Sequence, residues 1–214
     1  MLANFIHRYV PAADERAQTL LVLHGTGGDE NDLPPLAQRI DPNAAILSPR
    51  GRVLEHGMPR YFRRIEEGVF DLEDLALRTI ELADFVEAAA SHYGFDATGV
   101  FAVGYSNGAN IAASLLLTRP EVLAGAILFR PMVPFEPARP VALGGKRIRI
   151  SAGRQDQIVP RRLTDRLAEV LTHAGADVTA VWYDTGHALV PDEVTEAAKW
   201  FAQVVHGAGE RSRS

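Results

Sequence analysis

The chain has 214 residues, 47% hydrophobic and 23% charged, which suits one domain with a sizeable core and leaves little room for two. The formal charge of −5, with arginines scattered or locally paired, speaks against a nucleic-acid partner. Without cysteine there are no disulfides or thiolate metal sites, and no apolar run is long enough to predict a membrane span.

Phe5 to Val10 reads as an edge strand, followed by a polar turn over residues 13–16. Residues 19–24 (Thr-Leu-Leu-Val-Leu-His) are dense enough in apolar side chains for a strand buried on both faces. The strand breaks at Gly25-Thr26-Gly27-Gly28. Asn31 to Ile40 is predicted as a short helix, with Pro34 and Pro35 near its start, and Ala44 to Ser48 as the next strand. Pro49 to Val69 has no regular period and is expected to be a long functional loop.

Asp71 caps a strong helix whose apolar face is carried by Leu75, Leu82, Phe85, Val86 and Ala89 and which ends near Gly94. The run Val100-Phe101-Ala102-Val103 then leads into Gly104-Tyr105-Ser106-Asn107-Gly108 and a helical stretch that stops at Pro120. Strand, G-x-S-x-G, helix is the context of a nucleophile elbow, a tight turn that presents the serine hydroxyl. Further strands are predicted at residues 124–129, 147–152 and 178–183. Helices open at Pro160 and Pro191, a second loop covers residues 130–145, and residues 207–214 form a polar tail expected to be flexible.

Alternating strands and helices predict an α/β fold: a mostly parallel, twisted sheet of about seven strands in residues 1–206, with helices on both faces and no lid domain. Sites in such sheets form at the carboxyl ends of the strands. Ser106, Thr26, Asp156 and His187 all follow predicted strands.

A serine hydroxyl needs a general base, normally a histidine oriented by a carboxylate, in the chain order Ser, acid, His for this fold. Of the histidines after Ser106, His173 lies in the last turn of a helix and His206 at the end of the final one. His187 is in a loop directly after a strand and is the expected base. For the acid, Asp156 follows the penultimate strand; Asp184 is its rival. Asp156 is favoured because a carboxylate three positions away rarely turns back onto the imidazole of its own loop. The N–H groups of Asn107 and Thr26 are the expected oxyanion donors. His24, at a strand end before a glycine loop, is expected to brace that loop.

The segments Leu23-His24-Gly25-Thr26-Gly27-Gly28-Asp29-Glu30, Gly104-Tyr105-Ser106-Asn107-Gly108-Ala109-Asn110, Gly153-Arg154-Gln155-Asp156-Gln157-Ile158-Val159-Pro160 and Gly186-His187 together resemble the phospholipase/carboxylesterase family, compact lidless α/β-hydrolases. The resemblance spans nearly the whole chain. It implies Ser106 as nucleophile, Asp156 as acid and His187 as base, with Thr26 and Asn107 at the oxyanion. Asn107 stands where thioesterase and carboxylesterase members usually carry Gln, and Tyr61-Phe62-Arg63-Arg64 replaces their Trp-Phe-Asp segment. Ser48-Pro49-Arg50-Gly51, Arg60-Tyr61-Phe62-Arg63 and Gly68-Val69-Phe70-Asp71 resemble a bacterial branch associated with hydroquinone-type aromatic degradation.

Met58, Tyr61 and Phe62 from one loop and Phe129, Met132, Val133 and Phe135 from the other are candidates for an apolar pocket. Arg60, Arg63, Arg64 and Arg130 are candidates to meet a carboxylate or phenolate. The opposing reading is that the aromatics only pack the loops and the arginines pair with Glu66, Glu67 and Asp71. The predicted function is hydrolysis of small carboxylic esters or thioesters. A carbon–carbon or lactone hydrolase and a non-catalytic binding module on the same shell are the alternatives. No cofactor or metal is expected, the expected compartment is the cytoplasm since residues 1–8 lack the marks of a signal peptide, and a homodimer is compatible with the sequence.

Overall fold

A computed structural model describes residues 2–14 and 17–211. Strands β1 (His7–Val10), β2 (Thr19–Leu23) and β3 (Ala45–Pro49) lie on one side of the sheet, with helix α1 (Pro34–Ile40) between the last two. The segment read as one irregular loop instead forms two antiparallel hairpins, β4 (Val53–Glu55) with β5 (Met58–Arg60) and β6 (Arg64–Glu66) with β7 (Val69–Phe70). The first hairpin turns on His56 and Gly57, with φ of 52° and 80°, the paired positive values of a tight hairpin turn. Histidine is an unusual occupant of that position, so the usual Asn-Gly signal is absent from the sequence.

Helix α2 (Leu72–Tyr93) follows, capped by the Asp71 carboxylate accepting from the Asp74 N–H at 3.0 Å and closed by Gly94 at φ 76°. Strand β8 (Val100–Tyr105) and helix α3 (Asn107–Thr118) flank Ser106. The chain continues through β9 (Gly125–Phe129), β10 (Arg147–Gly153), α4 (Arg161–His173), β11 (Asp177–Tyr183) and α5 (Pro191–Arg211). That last helix passes Gly207, where the sequence placed the start of the tail; residues 212–214, like residues 15 and 16 of the polar turn, lie outside the described residues.

The seven-stranded sheet runs β1-β3-β2-β8-β9-β10-β11, parallel throughout except for β1. Alternate residues of its central strands feed two cores, as the pleat requires. Leu21, Leu23 and Ala102 pack with α2, α3 and α4 on one face, while Leu20, Val22 and Val103 pack with α1 and α5 on the other. Burial on both faces is why β2, β8 and β9 read as continuous apolar runs. No helix among the described residues is long and apolar enough to cross a membrane.

Candidate active site

Ser106 sits at φ 52° and ψ −113°, a conformation L-residues rarely adopt, between the end of β8 and the first turn of α3. The surrounding glycines exist because the turn packs so closely. A Cβ on Gly108 would lie 2.1 Å from the Leu23 carbonyl oxygen, and one on Gly104 would lie 2.7 Å from Ala109 backbone atoms. The Ser106 N–H donates to the Phe129 carbonyl at 2.9 Å, tying the turn to β9.

Three side chains distant in sequence meet here. The Ser106 Oγ is 3.0 Å from His187 Nε2, and His187 Nδ1 is 2.8 Å from Asp156 Oδ2. The other oxygen of Asp156 accepts from the Ile158 and Val159 N–H groups at 2.8 and 3.0 Å, which fixes the carboxylate. The acid and histidine loops touch backbone to backbone: a Cβ on Gly153 would come within 2.3 Å of the Gly186 oxygen. Asp184 turns away and pairs with Arg154 at 3.1 Å, with 82% of its side chain exposed.

Arg130 is corrected from a substrate contact to a buried scaffold. Its own φ is 55°, and its guanidinium is fully buried against Glu193, with two N–H···O bonds of 2.6 Å. The same group donates to the carbonyls of Gly186 at 3.0 Å and Ala188 at 2.8 Å, bracketing His187, and to that of Ser151 at 3.2 Å. The Tyr105 hydroxyl adds a bond to the His187 carbonyl at 3.1 Å. This arrangement of Arg130 and Glu193 escaped the sequence reading because their partnership spans 63 positions.

A cavity of about 310 Å³ opens over Ser106 and His187, walled by Thr26, Arg60, Arg64, Phe70, Met132 and Val159. Of the residues proposed from sequence for substrate contact, Arg60 and Met132 line it. Phe62 does not: it is fully buried and packs edge-on against Phe70, because an unbroken apolar ring gains more from the core under the hairpins. Met58 lies outside the cavity wall, with its thioether 3.7 Å from the position a Cβ on Gly27 would take. Tyr61 is also buried, donating to the Pro49 carbonyl at 2.7 Å and accepting from the His24 N–H at 3.2 Å. Arg63 faces Asp71 and Asp74.

The Thr26 N–H, and that of Asn107 in the first turn of α3, have no acceptor among the described residues, so both are available to a bound oxygen. The Asn107 side chain instead accepts from the Tyr61 N–H at 2.8 Å, and Asn110 accepts from the Met132 N–H at 2.9 Å. Two asparagines of the elbow helix thus each hold one of the covering segments in place. His24 braces its loop: Nε2 accepts from the Gly51 N–H at 2.9 Å, so Nδ1 must carry the proton it shares with the Gly25 carbonyl at 2.6 Å. Burial pushes its pKa below the ordinary histidine value.

Arg60 is buried, donating to the Thr26 hydroxyl at 2.8 Å and the Phe62 carbonyl at 3.2 Å. Burial, and then the nearby Arg64 cation, pull its pKa below the ordinary guanidinium value, against the pull of Glu55. Among the described residues no cluster of three or more His, Cys, Asp or Glu is placed to hold a metal ion.

A parallel sheet crossed by helices on both faces, with a serine on the turn after a central strand and a histidine and an aspartate on later loops, defines an α/β-hydrolase. The chain belongs to the phospholipase/carboxylesterase family, whose description matches residues 6–205. It is 47% identical over 186 residues to MhqD of Bacillus subtilis (strain 168), named as a hydrolase, covering 87% of this chain and 93% of that one. The Bacillus cereus carboxylesterase structure superposes with a TM-score of 0.92 at 46% identity, covering 94% of both chains. The structure of YahD with malic acid superposes with a TM-score of 0.88 at 33% identity, covering 94% of this chain and 99% of that one.

Proposed function

We propose that this protein is a serine esterase that cleaves small carboxylic esters through an acyl-enzyme on Ser106. The observation that carries the reading is the unbroken chain of contacts from Ser106 Oγ to His187 Nε2 and from His187 Nδ1 to Asp156. His187 takes the serine proton as the hydroxyl attacks the ester carbonyl and returns it to the departing alcohol; a water then repeats the sequence to release the acid. Asp156 holds the imidazole with Nε2 facing the serine and stabilises the charged ring. The Thr26 and Asn107 N–H groups receive the negative oxygen, and losing one such donor typically lowers kcat by about 10²–10³.

The small cavity and the absence of an inserted domain between strands favour compact substrates over long acyl chains. YahD, 33% identical, has been solved with malic acid, a small carboxylated molecule, which is in keeping with a compact ligand for this fold.

The test is hydrolysis of p-nitrophenyl acetate together with labelling by a fluorophosphonate probe. The parent protein should do both and Ser106→Ala neither, with an unchanged circular dichroism spectrum. A parent that resists labelling, or a Ser106→Ala variant that keeps the parent's rate, overturns the reading.

A further inference from the structure

We infer, resting on the serine-esterase reading, that this cavity selects esters that carry a carboxylate besides the ester group, with Arg64 and Arg60 as its binding groups. Both guanidiniums line the same cavity as Ser106. They share a single carboxylate, Glu55, whose oxygens lie 2.9 Å from Arg64 Nε and 3.3 Å from Arg60 Nε. The second of these contacts lacks hydrogen-bond geometry, since Glu55 Oε2 is buried without a hydrogen-bond partner. One anion therefore serves two cations. Of the remaining donors, Arg60 Nη1 donates to the Thr26 hydroxyl, while Arg60 Nη2 and both Nη groups of Arg64 have no partner among the described residues.

A planar fork of free N–H groups at the wall of a small cavity is the geometry that takes a carboxylate in a bidentate manner. Holding Arg60 buried costs solvation that a neutral ester would not restore, whereas an anion in the cavity would. Glu67, on the exposed turn between β6 and β7, also reaches this cavity but makes no ion pair among the described residues. As an exposed side chain at the rim it is solvated and screened, and it offsets the buried pair only weakly. Tyr105 and Asn110 add neutral groups to the wall, so among the described residues no other acidic side chain opposes the arginines inside it. The Thr26–Arg60 bond also joins this cation to the residue whose N–H is a proposed oxyanion donor, so substrate charge and reaction charge meet on the same side of the cavity.

The experiment compares two isosteric pairs by pH-stat: monoethyl glutarate with ethyl 5-methylhexanoate, and 4-acetoxybutanoate with 4-methylpentyl acetate. The pairs place the carboxylate on the acyl and the alcohol side respectively. In at least one pair the anionic ester should show a kcat/KM at least tenfold above its neutral partner. That ratio should collapse toward one in Arg64→Met, persist in part in Arg64→Lys, and shrink as sodium chloride is raised. Ratios below threefold in both pairs, or a ratio that Arg64→Met leaves intact, overturn the inference while the esterase reading stands. Fluorophosphonate labelling of Ser106 with no cleavage of any of these esters also overturns it alone. If no ester is cleaved and Ser106 is not labelled, the serine-esterase reading falls and the inference with it.

Discussion

Two aspartates near His187 differ in what surrounds them. Asp156 is almost fully buried, with one oxygen on the imidazole and the other on two backbone N–H groups, so it is rigid and its charge is little screened. Asp184 stands in solvent beside Arg154. Asp156→Asn is expected to lower kcat by about 10⁴, the scale seen when a triad carboxylate can no longer hold its histidine in the right tautomer. Asp184→Asn breaks only an exposed ion pair and should change the rate by less than about fivefold. Steady-state kinetics of the two variants checks this; equal effects would mean the acid is misassigned. The position of Asp156 was legible in the sequence, because it follows a strand at the carboxyl end of the sheet. The role of Arg130 was not, because a lone arginine in a proline-rich loop carries no sign of the glutamate on another helix that neutralises it.

Elements matter here chiefly through how they hold the histidine loop. That loop has no regular structure of its own, yet it is fixed by Arg130 just after β9, by α5 through Glu193 and by β8 through Tyr105. Arg130→Met leaves Glu193 as an uncompensated buried charge, which costs about 3–5 kcal/mol of stability. It also frees the Gly186 and Ala188 carbonyls. A lowered urea midpoint is therefore expected, and at temperatures where the variant is folded kcat should fall by more than KM changes. Glu193→Gln should keep more of both. A variant as stable and active as the parent would show that the clamp is dispensable. The hairpins β4–β5 and β6–β7 make a similar point. Their strands are only two or three residues long, too short for alternation to show, and it is the Asn107 and Asn110 side chains, not the loop sequence, that lock the covering segments over the site.

Across the whole molecule, stability should depend on pH through His24. Its neutral form is required, since Nε2 accepts from Gly51 and the ring is buried. Burial lowers its pKa in the folded state, so the unfolded chain takes up the proton first. The contribution is complete above the unfolded value of about 6.5 and is lost progressively as pH falls from there toward the lower folded value, at up to about 1.4 kcal/mol per pH unit. Urea midpoints at pH 7.5 and 5 should therefore drop in the parent. His24→Gln should be weaker at pH 7.5 but lose less on acidification. An equal acid loss in both would place the titration elsewhere.

The sequence by itself determined the layered α/β architecture, because a parallel sheet buried on both faces must be written as short apolar runs separated by amphipathic helices. It also determined the elbow, since only glycine fits where Gly104 and Gly108 meet neighbouring backbone. What only the tertiary structure decided was which charged and aromatic residues of the covering segments line the cavity over Ser106. Arg60 and Arg64 line the cavity, while Arg130 and Phe62 are absorbed into the interior. Local pattern records how a residue sits on its own strand or helix. Whether an arginine meets a glutamate 63 residues away or an open cavity depends on long-range packing, which no local period encodes.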